Sequence, residues 1–392
     1  MEAFYRTHNY LVKPTNAPVS RDLMDDIDWN DRLIGIKGTR GVGKTTFLLQ
    51  YAKEKFGTDR SCLFVNMNNF YFSQYSLVDF AGEFVKRGGK VLLIDQVFKL
   101  PDWSHDLRTC YERYPQLKIV FTGSSVMRLK DENPELNGIV KSYNLRGFSF
   151  REFLNLQTGN HFSAYTLDEI LHNHEHIVKT ILPHINPLNY FQDYIHHGFY
   201  PFFLEKRNFS ENLLKTMNMM IEVDILLIKQ IELKYLSKIK KLLYLLAVDG
   251  PVAPNVSQLA TEIQTSRATV MNYIKYLADA RLINMVYPKG ESFPKKPAKI
   301  MMHNTNLMYS IYPVKVEEQD VLETFFVNTL WKDHKINKGD KGTSFLVDNT
   351  LHFRICAEGS KYKSNPNIYY AMHKMEIGHG DQIPLWLFGF LY

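Results

Sequence analysis

The stretch GTRGVGKTT, Gly38–Thr46, constrains this chain most, because it joins two segments of different hydrophobic period. Before it, RLIGIKG is a nearly continuous apolar run that reads as a buried strand. After it, KTTFLLQYAKEKFG has helical spacing closed by Gly57. Glycines at 38, 41 and 43 let the backbone curl until successive N–H groups face inward, and the helix starting near Lys44 adds its positive dipole end at the same point. Such a nest takes phosphate. Lys44 is placed to reach the β- and γ-phosphates of a nucleoside triphosphate and Thr45 to coordinate Mg²⁺; the expected cradle comprises Gly38, Thr39, Arg40, Gly41, Val42, Gly43, Lys44, Thr45 and Thr46.

The flanking sequence keeps the same grammar. SCLFVNMN, KVLLID and KIVFTGS read as strands, while SLVDFAGEFVKRGG and SHDLRTCYERYP read as the helices between them. That alternation predicts an α/β domain with a mostly parallel sheet over residues 1–147. Asp95 closes the apolar run VLLID, at the carboxyl end where such sheets gather ligands, and is expected to hold the magnesium shell with Thr45. Thr122, Ser124 and Ser125 close the next strand, with hydroxyls suited to sensing a γ-phosphate or orienting water; a plain Ser/Gly turn is the competing reading.

Composition narrows the rest. The content of 45% hydrophobic and 14% aromatic residues fills real cores across a chain of 392 residues, so more than one domain is expected. No apolar run reaches the roughly 18 to 20 residues that cross a bilayer, and MEAFYRTHNYLVKP lacks the apolar block of a signal peptide, which points to a cytoplasmic protein. Cys62, Cys110 and Cys356 have neither metal nor redox spacing and read as packing thiols. A net charge of +6 permits contact with nucleic acid without requiring it.

Residues 148–231 read as helices: SFREFLNLQTG, TLDEILHNHEHIVKTIL, NPLNYFQDYIHHG and NLLKTMNMMIEVDILLIKQ, expected as a lid or helical subdomain over the nucleotide. His172 and His176 stand one helical turn apart, and His174, His196 and His197 are close in sequence. With no cysteine and no third ligand, a solvated polar face is favoured over a metal site. Met217, Met219 and Met220 read as core filling. From 232 to 298 the pattern becomes helix, turn, helix and strand, a winged-helix arrangement whose second helix, Ser266 to Ala278, carries the apolar stripe Val270, Tyr273, Ile274 and Leu277. Its outward Arg267, Thr269, Asn272 and Lys275 could meet a DNA major groove, and Lys289, Lys295, Lys296 and Lys299 could meet phosphates. An interdomain spacer, or a protein contact, and a solvated loop are the plainer readings. Residues 299–392 are mixed α/β.

Taken together, RLIGIKGTRGVGKTT, VLLIDQVFKLPDW, LKIVFTGSS, GFSFREFL, GFYPFFLE, KIMMHNTNLMYS, LETFFVNTL and PLWLFGFLY resemble a family of bacterial and archaeal AAA-like P-loop ATPases with a winged helix and a restriction-endonuclease-like carboxyl domain. The resemblance implies a P-loop NTPase sheet with helical lid, winged helix and degenerate nuclease-like α/β domain, ATP and Mg²⁺ as ligands, and assembly with like subunits or a protein partner. It also exposes departures. Where the family has the catalytic Glu after the Walker-B Asp, this chain has Gln96, whose amide cannot take a proton. Such a base contributes about 10² to 10⁴ in rate, so hydrolysis is expected to be slow. Glutamine at this position is also a familiar engineered trap for ATP; under either origin the chain should hold ATP better than it hydrolyses it. A paired arginine preceding the SFRE block is replaced by Gly138 and Ile139, with Arg128, Arg146 and Arg151 nearby as substitutes. At the acidic pair of related nucleases stand Ser344 and Arg354, leaving only Glu323 and Asp348, so nuclease activity is not expected. Three readings follow: an ATP-holding switch with Gln96 and Ser124 at its catalytic positions, a working ATPase motor or assembly factor, and an ATP-regulated DNA-binding protein.

Overall fold

The computed structural model describes residues 1–16, 21–127, 129, 133–205, 208–314, 316–331, 333–361, 363 and 365–392. The chain forms two compact units, Met1–Gly147 and Phe148–Tyr392.

The first unit runs α1 (Glu2–Val12), α2 (Leu23–Asp26), β1 (Leu33–Gly38), α3 (Lys44–Lys55), β2 (Cys62–Asn66), α4 (Tyr71–Gln74), α5 (Leu77–Lys86), β3 (Val91–Asp95), α6 (Trp103–Arg113), β4 (Lys118–Ser124) and β5 (Lys141–Asn144). Its sheet has the order β2-β3-β4-β1-β5 and every pairing is parallel. β3 is buried along its whole length, as continuous apolar strands require when both faces are covered. The insertion of β4 between β1 and β3 matters most for function. It sets Ser124 opposite Gly38, and it brings the carboxyl ends of three strands to one edge of the sheet. β5, whose sequence KSYN is only half-buried, gave no apolar signal and extends the sheet beyond β1.

The second unit contains α7 (Phe150–Thr158), α8 (Leu167–Ile181), α9 (Leu188–Asp193), α10 (Phe209–Met219), α11 (Leu226–Lys229), α12 (Leu236–Asp249), α13 (Val256–Glu262), α14 (Arg267–Asp279), β6 (Ile283–Val286), β7 (Lys299–Met302), α15 (Thr305–Ile311), α16 (Glu318–Leu330), β8 (Ile336–Lys338), β9 (Phe345–Val347), β10 (Leu351–Cys356), β11 (Ile368–Met372) and β12 (Gln382–Pro384). The last five strands form a mixed sheet in the order β12-β11-β10-β9-β8, parallel on one side of β10 and antiparallel on the other. α7 and α8 each start with a capping box, Ser149 with Glu152 and Thr166 with Glu169.

The boundary expected at 298 is crossed by a single core. Phe150, Ile170 and Phe191 from α7–α9 lie in the same buried cluster as Phe326, Phe353, Trp386 and Phe388. Arg151 reinforces it, its guanidinium donating to the carbonyls of Phe162 and Tyr392 from a buried position. The helices of 148–231, expected as a lid or helical subdomain over the nucleotide, owe part of their core to the mixed sheet; an amphipathic stripe shows that a helix is covered, not by what. Met217 and Met220 are buried while Met219 is exposed.

Between these parts α13 and α14 pack on each other, and Ser266 caps α14 by accepting from the Thr269 N–H. Val270, Tyr273, Ile274 and Leu277 are all buried. β6 and β7 form an antiparallel hairpin, and Val252 bridges to Ile300 beside it. Among the described residues no helix is long and apolar enough to cross a membrane.

Candidate phosphate and metal site

The loop between β1 and α3 is shaped by its glycines. Gly41 and Gly43 have φ of 87° and 93°, backbone that side chains with a Cβ rarely adopt. At Gly38 the limit is space, since a Cβ there would lie 2.4 Å from the carbonyl oxygen of Leu145. Gly43 begins α3 without any side-chain cap, so the first-turn amides that have no intrahelical acceptor are presented to the loop's concavity. Lys44 Nζ donates to the carbonyls of Gly38 and Thr39, both at 2.8 Å, which holds its ammonium at the mouth of the loop. Val42 and Thr39 are buried and anchor the loop to the sheet. Arg40 is half-buried, while Thr46 is exposed on the first turn of α3.

Asp95 is the hub beneath. One carboxylate oxygen accepts from Thr45 Oγ1 at 2.9 Å and from Asn66 Nδ2 at 2.8 Å; the other accepts from Thr122 Oγ1 at 2.5 Å. The residue is buried, and among the described residues no lysine or arginine neutralises it. A buried carboxylate with only neutral donors around it has no countercharge of its own, and a hydroxyl beside a carboxylate is the hard-oxygen pair that Mg²⁺ takes together with water and phosphate. Thr45 and Asp95 therefore fit the metal expected of them.

Gln96 adopts the left-handed conformation, φ 58°, and its backbone N–H donates to Thr122 Oγ1 at 2.9 Å. Thr122 thus links Asp95 to the peptide of the next residue. Among the described residues the Gln96 side chain makes no hydrogen bond. Ser124 is buried beside Gly38, with its hydroxyl accepting from the Val126 N–H at 3.4 Å; the two catalytic candidates share no hydrogen bond.

Two contributors have no motif. Asn66 is found only through register, because it faces Asp95 across β2 and β3. Arg21 is buried and donates to the carbonyls of Val42, Arg146 and Gly147, tying the phosphate loop to the end of β5. Gly138 and Ile139 lie in a turn where Gly138 has φ 77°. Of the substitute arginines, Arg128 lies outside the described residues, and Arg151 is engaged in the core of the second unit.

The other candidates remain ordinary. The histidines of α8 are not uniformly solvated: His172 and His176 are exposed, but His174 is buried, and burial lowers its pKa. His196 stacks on Tyr309 at 3.8 Å. No group of metal-holding side chains occurs among the described residues. All three cysteines are free and buried, and desolvation pushes the Cys62 and Cys110 thiols up to about 12. In the second unit Ser344 Oγ accepts from the Ile355 N–H, and Arg354 donates to the Lys361 carbonyl.

A family model for the AAA domain matches residues 30–154, spanning the loop, Asp95 and β4. The match and the loop geometry agree on an AAA-like P-loop domain in this region. A second model, the domain of unknown function DUF8612, matches residues 188–317. The uncharacterized protein MJ1637 of Methanocaldococcus jannaschii is 28% identical over 310 residues, which are 74% of this chain and 64% of that relative. The chain thus spans less than two thirds of the relative it matches. Among solved structures, C. elegans PCH-2 has a TM-score of 0.24 at 16% identity, covering 40% of this chain and 44% of that one. AMPPCP-bound DnaA from Aquifex aeolicus also has a TM-score of 0.24, at 15% identity, covering 66% of this chain and 85% of that one. Likenesses this weak add nothing to what the AAA domain's own residues say.

Proposed function

We propose that the AAA domain binds ATP with Mg²⁺ and hydrolyses it slowly, so that the bound nucleotide governs contacts made by the second unit, by a like subunit or by a protein partner. The observation that carries the reading is the Asp95 cluster: a buried, uncompensated carboxylate bonded to Thr45 and followed by an amide side chain where a water-activating carboxylate would stand. Binding needs only the cradle and the metal pair, and the contacts of Lys44 with the loop and of Thr45 with Asp95 support it. Turnover needs a proton acceptor, and Gln96 is none. Titrating nucleotide with and without Mg²⁺, then following a single turnover, tests both halves. Retention of ATP with hydrolysis far below about 1 per second is expected. Turnover at or above that rate would instead make the chain a working motor, with another group activating water.

A second reading concerns residues 232–302. We read the α12–α14 helices with the β6–β7 hairpin as a winged helix, and the exposure of Arg267 and Asn272 on α14 supports DNA contact. Lys275 weakens that reading, because its ammonium is held by Asp279 at 2.6 Å.

A further inference from the structure

A groove of about 680 Å³ lies where the loop after β6 meets the edge strand β8 of the mixed sheet. Its lining includes Lys289, Lys338, Lys341 and His352, with Asp340 as its one carboxylate. Lys338 and Lys341 are exposed, and among the described residues no acid holds either ammonium. Two of the four loop lysines read from the sequence are taken up by acids, Lys295 by Glu291 and Lys299 by Glu323. Exposed positive charge also stands on the edge of the sheet, at Lys338 and Lys341, where no motif announced it.

The groove is fixed rather than incidental. The Tyr287 carbonyl accepts from the Lys338 N–H at 2.8 Å and from Asn337 Nδ2 at 3.2 Å, and Asn337 also reaches the Pro288 carbonyl. Lys289 Nζ donates to the Asn349 carbonyl at 3.1 Å, spanning the groove from one wall to the other. Asn337 is buried, so this stitch is shielded from water. A lysine on an edge strand also deters edge-to-edge pairing, but that duty would be met by Lys338 alone and needs neither the cavity nor Lys341.

We propose that this groove grips the phosphodiester backbone of double-stranded DNA without reading its sequence. Lysine ammoniums are point charges suited to phosphate, and releasing counterions there drives sequence-independent binding. Among the described residues that line the groove the one ring is the His352 imidazole, and no Phe, Tyr or Trp supplies the successive stacking platforms that single strands use. The choice of DNA over RNA rests on the winged-helix reading of α12–β7, since an exposed helix fits the wide major groove of B-form DNA and not the narrow one of A-form RNA. The proposal is independent of the nucleotide site.

The test measures fluorescence anisotropy of the full chain with a labelled mixed-sequence DNA duplex at roughly 50 to 200 mM KCl. A Lys338→Gln/Lys341→Gln variant should bind about tenfold or more weakly, with a salt slope shallower by about 0.9 for each lost contact. The paired Lys338→Arg/Lys341→Arg variant should retain both affinity and slope, which separates lost charge from lost fold. The groove is excluded if the glutamine variant keeps the parent's affinity and slope, if the parent does not bind duplex DNA at the lowest salt, or if single strands or duplex RNA bind better. Arg267→Gln separates the two readings. Unchanged binding in that variant, with loss in the groove variant, leaves the groove standing and removes α14 as the contact.

Discussion

Carboxylates at the site in the first unit and on α16 and the turn after β9 in the second meet different fates. Asp95 is surrounded by a threonine hydroxyl, an asparagine amide and a second threonine hydroxyl, all neutral. Glu323 is bonded to the Lys299 ammonium at 2.5 Å, and Asp348 to His334 at 2.6 Å and to the Lys335 N–H at 2.8 Å. All three are acids that a motif search would collect, yet only Asp95 is buried among neutral donors alone. What distinguishes a metal site from a structural acid is the neutrality of the first neighbours, because a buried negative charge already compensated by a cation has little further attraction to offer.

The contrast is broken most directly at Gln96. Gln96→Glu restores a group able to take a proton beside the Asp95 cluster, and single-turnover hydrolysis should rise by about 10² to 10⁴. Unchanged turnover would locate the defect at the missing arginine pair instead. Next in size, Lys44→Ala removes a charge-assisted contact worth about 1.5–3 kcal/mol, so nucleotide affinity should fall by roughly 10- to 150-fold in equilibrium titration. An unaltered dissociation constant would mean that the loop does not hold the phosphates.

Much of this site was legible because its signals are local. The loop glycines, Lys44 and Thr45 lie within a few residues of one another, and Asp95 closes an unbroken apolar run. Asn66 and Arg21 were not legible, since each acts on a partner made near only by sheet order or chain crossing: Arg21 binds the Gly147 carbonyl across most of the first unit's sequence. A side chain that satisfies backbone carbonyls leaves no complementary residue type to search for. The same physics hid the shared core of the second unit. The apolar stripe of α8 specifies that it is covered, and Trp386 and Phe388 near the chain's end do part of the covering. The basic groove was missed because its charges come from two segments far apart in sequence, brought together by the Tyr287–Asn337 bridge and the Lys289–Asn349 contact.

In the second unit, Glu323→Gln should sharpen the difference between a structural and a ligand-holding acid. The Lys299–Glu323 pair is 25% and 9% exposed, so removing one charge should destabilise the unit by about 1–2 kcal/mol, less than a fully buried pair would lose. The change is read in the urea midpoint of the second unit's transition. Added Mg²⁺ should leave that shift unchanged; a metal-dependent shift would give Glu323 a ligand's role.

The smallest expected effect concerns protons. His8 on α1 is buried, and its Nδ1 accepts from the Phe64 N–H of β2 at 2.9 Å, so the ring is neutral in the fold. Burial lowers its pKa below the unfolded value of about 6.5. Below that value the unfolded chain binds more protons than the folded one, so the stability His8 contributes is present above about pH 6.5 and is lost as pH falls toward the folded pKa. His174 on α8 is shifted in the same direction by desolvation, so acid should weaken both units. His8→Gln should lower the first unit's stability at neutral pH, where the Phe64 contact is lost, but reduce its further fall between about pH 7 and pH 5. The second unit, with His174 intact, should keep its full acid sensitivity. Chemical denaturation at the two pH values, followed by probes in each unit, measures this difference of differences. An equal acid response in the variant and the parent would assign the first unit's pH dependence to groups other than the α1–β2 contact.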